Sequence, residues 1–168
     1  MSRFVTRFGS LGSFERGRVE VVDDDPRHYA FSNMFEVAST ARPWEQVAVG
    51  LNRQYVLEVV RAEGTSGWRV CSHDQSVLVM DGQVVVELAQ PGQGQAPPAG
   101  QQGSVGLPGG GEPGGARMGR VTAGRGHLVL LPGGACYRMV AGGVGVVLVQ
   151  TIQGPDTVFR WQEICQTS

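Results

Sequence analysis

The chain has 168 residues, which suits one domain whose core is large enough to fold without disulfides or a structural metal. Its formal net charge is −1 and its basic residues are scattered, so it lacks the basic surface typical of nucleic-acid binding. It also has no run of about 18 apolar residues, which argues against a membrane-spanning helix.

The N-terminus and the cysteines indicate the compartment. The sequence MSRFVTRFGS lacks the apolar core and small-residue cleavage site of a secretory signal. The three cysteines, Cys71, Cys136 and Cys165, cannot all pair, and their spacing matches no zinc-binding module. These features favour a reducing compartment, and we expect a cytoplasmic protein.

Residues 1–53 are expected to flank the main domain. Arg18–Val22 has the composition of a strand, which the acidic residues before Pro26 would end. Asn33–Ser39 is predicted to form a short helix that Pro43 terminates.

Residues 54–152 carry the β-strand signals, with β-branched residues between Gly, Pro or Asp. Asp81-Gly82 predicts a tight hairpin, because glycine takes the positive φ of a type I′ turn. Several short strands without a helical period predict a closed or double-sheet β architecture. The predicted strands are Gln54–Arg61, Trp68–Ser72, Gln75–Met80, Gln83–Ala89, Gly119–Thr122, His127–Leu131, Ala135–Val140 and Val144–Ile152.

Two further segments depart from this pattern. Residues 91–118 are rich in Gly, Pro and Gln and poor in large apolar groups, which predicts a disordered insertion. A phosphate-binding loop is disfavoured there, because the segment lacks the G-K-[ST] ending and a following helix. Residues 153–168 are predicted to form a C-terminal helix, since Val158, Trp161 and Ile164 have the spacing of one helical face.

Two segments resemble the paired motifs of the cupin superfamily. Gly126, Pro132 and Gly134 fit the pattern G-x5-P-x-G-x2-H-x3-N, with Tyr137 at the histidine and Ala141 at the asparagine. In the other segment, the pattern G-x5-H-x-H-x3-E-x6-G places Arg69 and Cys71 at the histidines, Gln75 at the glutamate and Gly82 at the last glycine. The resemblance implies an all-β double-stranded β-helix, a jelly-roll cupin barrel with short flanking helices, and by analogy a homodimer.

The first motif defines a candidate ligand site. Arg69, Cys71, His73 and Gln75 share one parity, so in a strand their side chains could face the same way. The resemblance implies that this way is the barrel interior, where Tyr137 would join them. Converging polar groups in a cavity favour a ligand pocket.

The same substitutions argue against the metal centre of the family. A guanidinium cannot be a ligand, and an amide and a phenol replace carboxylate and imidazole. We therefore expect no metal ligands and no cofactor. A two-ligand metal site at Cys71 and His73 is the alternative left open.

Three of these residues have two interpretations each. Arg69 needs a counter-charge, which is either Glu58, Glu63 or Glu87 or an anionic ligand. His73 is either a general base or a turn histidine bonded to backbone or water, and Cys71 is a reactive thiolate or a small apolar residue.

The function predicted from these features is binding of a small, anionic or aromatic organic molecule in the barrel, without nucleic-acid or membrane partners. The alternative is an enzyme. It would be either a cofactor-free isomerase or cyclase using His73 and Tyr137 as catalytic residues, or a dioxygenase with a noncanonical metal site. A third hypothesis is a structural barrel that serves as a dimerisation module, in which side chains would fill the interior.

Overall fold

The computed structural model describes residues 8–16, 20–24 and 33–161. The first regular element is helix α1 (Met34–Thr40), close to the predicted position. Asn33 caps it, because its Oδ1 accepts a hydrogen bond from the backbone N–H of Phe35 at 2.9 Å. Part of the predicted strand at Arg18–Val22 lies outside the described residues, and residues 20–24 are not in a strand. No helix among the described residues is long and apolar enough to cross a membrane.

Ten strands are present among the described residues, and the predicted all-β jelly-roll architecture is confirmed. The strands are β1 (Gln46–Asn52), β2 (Tyr55–Thr65), β3 (Arg69–Cys71), β4 (Gln75–Asp81), β5 (Gln83–Ala89), β6 (Ser104–Gly106), β7 (Arg117–Gly124), β8 (Leu128–Leu131), β9 (Cys136–Ile152) and β10 (Thr157–Val158). Strand β1 lies within the segment that was predicted to flank the barrel.

The long strand β9 holds the curled sheet together. Its C-terminal half pairs antiparallel with β2 on one side and with β4 on the other. Its N-terminal half pairs with β5 and β3. Strands β7 and β8 are edges, since among the described strands β7 pairs only with β5 and β8 only with β4.

The turn at Asp81-Gly82 is a kink and not the predicted hairpin. Strands β4 and β5 follow one another along β9, each antiparallel to it, and do not pair with each other. Gly82 has a φ of 74°, and a Cβ there would lie 2.9 Å from the Cα of Gly145. Glycine is therefore needed at position 82 because two segments of the chain approach closely there. The local sequence cannot distinguish this requirement from that of a hairpin turn.

Side chains fill the barrel interior over much of its length. The inward positions of β4, β5, β8 and β9 alternate with outward ones and are mostly valine, as the period of a strand requires. This buried cluster comprises Val60, Ala62, Val77, Val79, Val84, Val86, Ala123, Val129, Leu131, Tyr137, Met139, Ala141, Val147 and Val149.

The glycine-rich segment is ordered against the barrel, which differs from the predicted disorder. Strand β6 within it pairs with β3, and Leu107 is buried in a cluster with Val70. Gly103 has a φ of 70° and lies against Gly154, where a side chain would clash. A few buried side chains and close glycine contacts thus fix a segment whose composition alone favours disorder.

The C-terminal segment also differs from its prediction. Thr157 and Val158 form β10, which pairs parallel with β1, where a helix was expected. Trp161 is helical and packs with the cluster around α1, while residues 162–168 lie outside the described residues. The edge of β1 explains the difference, because β10 pairs with it and satisfies backbone N–H and C=O groups of both strands. The spacing of apolar residues in the sequence contains no information about this edge.

Candidate polar site at the barrel end

Arg69 lies at the start of β3, and its guanidinium donates hydrogen bonds to two neighbouring segments. Its Nη2 donates to the carbonyl oxygen of Ser104 at 2.8 Å and to Oδ2 of Asp156 at 2.7 Å. Its Nε donates to the Ser104 hydroxyl at 3.1 Å. The counter-charge is therefore a carboxylate of the same chain, although it is Asp156 and not one of the three glutamates considered from the sequence.

Tyr137 and Cys71 lie beside Arg69 on the inner side of the barrel. Tyr137 is the cross-strand partner of Arg69 and is buried in the barrel cluster. Burial raises the pKa of the Tyr137 phenol, and the neighbouring Arg69 and Ser104 oppose part of the rise. Burial also raises the pKa of the Cys71 thiol, so neither group is ionised near neutral pH. The small apolar interpretation of Cys71 fits this environment better than a reactive thiolate.

Gln75 and His73 are placed differently. Gln75 is buried, and its Nε2 donates to the Thr151 hydroxyl at 2.7 Å, while its Oε1 has no partner among the described residues. His73 sits between β3 and β4, where its Nδ1 lies 2.8 Å from the carbonyl oxygen of Asp74. No described contact joins the rings of His73 and Tyr137. The turn interpretation of His73 therefore has a direct contact in its support, and the pair as catalytic residues stays a prediction.

A buried glutamate that the sequence did not single out as a site residue completes this region. Glu58, on β2, accepts a hydrogen bond from Nε2 of Gln46 at 2.9 Å and one from the Thr157 hydroxyl at 2.5 Å. Burial raises the pKa of Glu58 to about 7. The hydrogen bonds from Thr157 and Gln46 and the positive charge of Arg69 oppose part of this rise. The sequence does hold a signal for it, because Glu58 is in phase with the inward Val56 and Val60.

These donors do not fit a first-row metal ion. Such ions prefer neutral imidazole, thiolate and carboxylate, and stable sites usually need three or more of them. At the motif positions the chain offers a paired guanidinium, a protonated thiol, an amide and a buried phenol. Within residues 8–16, 20–24 and 33–161 no group of three or more His, Cys, Asp or Glu side chains could hold a metal.

The fold and this site can be set beside known proteins. No protein-family model matches the chain, and no curated protein matches it. A chain of hydroquinone 1,2-dioxygenase from Sphingomonas sp. TTNP3, crystallised with 4-hydroxybenzoate, is 49% identical over 99% of both chains, with a TM-score of 0.91. A chain of hydroquinone 1,2-dioxygenase PnpCD, crystallised with Cd2+ and 4-hydroxybenzonitrile, is 46% identical over 98% of both chains, with a TM-score of 0.88.

A cupin-2 domain protein from Shewanella frigidimarina NCIMB 400 shares the fold at 15% identity, over 75% of this chain and 98% of that chain, with a TM-score of 0.51. The chain has the cupin fold, as its two motifs predicted, and it belongs to the same family as the two hydroquinone 1,2-dioxygenase chains.

Both dioxygenases also contain a second, longer chain of the same fold. For PnpCD crystallised with Fe3+, the match covers 88% of this chain and 41% of the longer chain, at 10% identity and a TM-score of 0.60. For the Sphingomonas enzyme it covers 85% of this chain and 40% of the longer one, at 14% identity and a TM-score of 0.56. A chain that the match covers almost completely and a chain that it covers to about two-fifths must differ in length. Each of these enzymes therefore contains two different chains.

The expectation that no cofactor is involved is wrong. PnpCD was crystallised with Cd2+ and with Fe3+, which indicates that a dioxygenase similar to this chain is a metal-binding enzyme. A sequence motif describes one chain only, so the residues Arg69, Cys71, Gln75 and Tyr137 cannot exclude a cofactor held by another chain.

Proposed function

We propose that this chain is the shorter component of a dioxygenase that opens the ring of hydroquinone-type phenols, and that a longer cupin chain holds its metal. The observation that carries the proposal is the match to one complete chain of the Sphingomonas enzyme, with 49% identity over 99% of both chains. An identity of this size over full length, without large insertions on either side, supports a shared role in a shared assembly.

The donor set at the barrel end supports the division of labour between two chains. The metal positions of the motif carry an arginine tied to Asp156 and Ser104, and the barrel interior is packed with apolar side chains. A cation placed near Arg69 would be repelled and would find no carboxylate or free imidazole at those positions. A metal on a second chain reconciles these residues with the metal-containing enzymes.

The substrate class follows from the name of the similar enzymes, and the compounds bound to them share the form of that substrate. Hydroquinone, 4-hydroxybenzoate, 4-hydroxybenzonitrile and 4-nitrophenol are all phenols with a substituent in the para position. A 1,2-dioxygenase adds both atoms of O2 across neighbouring ring carbons, so oxygen uptake follows the reaction directly. The proposed activity is therefore oxygen-dependent cleavage of para-substituted phenols by the two-chain assembly.

Co-expression with the longer chain of the Sphingomonas enzyme tests the proposal. This chain alone, the longer chain alone and the co-expressed pair are purified, and iron content and hydroquinone-dependent oxygen uptake are measured. We expect the two chains to elute together, to hold iron and to consume oxygen. This chain alone should neither hold iron nor consume oxygen. Stoichiometric iron and turnover in this chain alone would place the centre here, and a failure of the two chains to associate would refute the two-chain role.

A further inference from the structure

A cavity of about 320 Å³ opens beside strands β5 and β7. Strands β5 and β7 form its floor, and the residue that precedes β3 forms a wall. The lining residues are Trp68, Glu87, Leu88, Arg117, Gly119 and Arg120. Its volume lies at the lower end of the roughly 300–1,000 Å³ of small-molecule sites, which suits a compact ligand.

A β-bulge places two arginines on the same face of β7. Residues three apart on a regular strand point to opposite faces. Here Arg117 is opposite Ala89 and Arg120 is opposite Glu87, because the register shifts by one residue at Met118. Their partners are two residues apart, so the arginines lie about 7 Å from each other along the strand. Both point to the outer face, where Glu87 also lies.

Neither arginine is neutralised by a residue that the structure describes. Among the residues that the structure describes, no carboxylate pairs with Arg117 or Arg120. Glu87, the acid in the cavity wall, is engaged by Nε of Arg138 at 2.5 Å. The cavity therefore offers two unpaired guanidinium groups, which match the geometry of a carboxylate.

The aromatic wall of the cavity is held rigidly. The Trp68 indole N–H donates to Oε2 of Glu112 at 2.9 Å. The guanidinium of Arg138 lies over the Trp68 ring, 4.7 Å from its centroid, and also pairs with Glu112 at 2.9 Å. Because Arg138 and Glu112 fix the ring before any ligand arrives, little conformational entropy remains to be lost on binding.

We propose that this cavity binds a planar monocarboxylate of the aromatic or conjugated class. The carboxylate lies between Arg117 and Arg120, and the flat apolar part of the ligand packs against Trp68. The site does not depend on the proposed dioxygenase role, since all of its residues belong to this chain.

Titration of the ¹⁵N-labelled chain with benzoate tests the proposal by NMR. The chain has three tryptophans, and a Trp68→Phe variant assigns the Trp68 indole signal among them. We expect that signal to shift and saturate with a dissociation constant on the order of 1 mM, as for a very small ligand. Arg117→Gln and Arg120→Gln should each weaken binding by about 10-fold, because each removes a charge-assisted pair.

The matched control is Arg53→Gln, which removes one charge from an exposed arginine between β1 and β2. It should bind benzoate as the unaltered chain does, and the other two indole signals show that each variant is folded. Acetate and inorganic phosphate should bind about 10-fold more weakly, because they lack the planar apolar part. Equal weakening by Arg53→Gln, equal binding of acetate or phosphate, or no saturation with benzoate would each overturn the proposal.

Discussion

Arg69 and Asp156 form an ion pair with an N–O distance of 2.7 Å, which ties the start of β3 to the segment that follows β9. The Arg69 side chain is 21% exposed and that of Asp156 is 47% exposed, so the pair spans the rim of the barrel. Ser104 on β6 joins them through both its hydroxyl and its carbonyl oxygen. A position that carries a metal-binding histidine in the cupin motif here connects three segments of chain.

Replacement of Arg69 by methionine should destabilise the fold. It removes the hydrogen bonds from Arg69 to the Ser104 hydroxyl and carbonyl oxygens and leaves Asp156 without its counter-charge, for a cost of about 2–4 kcal/mol. Asp156→Asn should cost only about 1 kcal/mol or less, because Asp156 is half exposed. Urea unfolding measures both, with Arg53→Met as the exposed control. An Arg69→Met variant no less stable than the control would instead favour a ligand-binding arginine.

The buried carboxyl of Glu58 should make stability depend on pH. Its pKa is about 7 in the folded chain, above the roughly 4.3 of an ordinary glutamate, so folding favours the protonated form. The resulting stabilisation is complete below about pH 4 and is lost as the pH rises through about 7. Between pH 5 and pH 8 the free energy of unfolding should fall by roughly 2–3 kcal/mol from this group.

Glu58→Gln is the variant that isolates this effect. The amide keeps an acceptor for Thr157 and cannot ionise, so the fall in stability between the two pH values should shrink by that amount. Glu20→Gln, at an exposed position, serves as the control. Urea unfolding at both pH values provides the free energies. An unchanged pH dependence in Glu58→Gln would mean that Glu58 is ionised in the folded chain at both values.

The buried thiols should resist modification until the chain unfolds. Cys71 and Cys136 are both buried, and burial raises the pKa of each thiol. In a Cys165→Ser background, a thiol reagent at pH 8 should label neither residue in the native protein and both in denaturant. Absorbance of the released chromophore gives the rate. Fast labelling that a Cys71→Ala change abolishes would show an accessible, activated thiolate.

Local sequence patterns predicted seven of the ten described strands, but they predicted neither β1, β6 and β10 nor the partner of each strand. Strand β5 has the predicted bounds, because Val84 and Val86 alternate with polar residues and turn residues flank the strand. The sequence predicts a hairpin at Gly82 where the structure has a kink, because a glycine with positive φ occurs in both and only its contact with the distant Gly145 distinguishes them. Pairing partners are long-range information that periodicity does not contain.

The candidate site shows the same division. Strand parity and the motif predict that Arg69, Cys71 and Tyr137 lie near one another, and the three lie on one side of β3 and β9. Their role as a ligand site stays a prediction. The groups that satisfy Arg69 were not predicted, because Ser104 lies 35 residues away in sequence and Asp156 lies 87 residues away. A metal on a second chain, as proposed above, is beyond what any single sequence can reveal.

The order of the glycine-rich segment can be tested with a matched pair of substitutions. Gly100 and Gly103 have φ angles of 73° and 70°, so an alanine at either position has the same backbone cost of about 1 kcal/mol. Around Gly100 a Cβ would meet nothing within 4 Å, whereas at Gly103 it would lie 2.5 Å from the Cα of Gly154. Gly103→Ala should therefore destabilise the fold by about 2 kcal/mol more than Gly100→Ala, since the backbone at Gly154 has to move.

Urea unfolding of the two variants gives the difference directly, and the shared φ cancels in the comparison. Because the clash exists only when residues 100–106 are packed against the chain near Gly154, the difference reports the docking of this segment and not glycine propensity. Equal stabilities of Gly103→Ala and Gly100→Ala would instead support the disordered insertion that the composition of the segment predicts. In that case Arg69 would also lack its hydrogen bonds to the Ser104 oxygens, and Asp156 would be its remaining partner among the described residues.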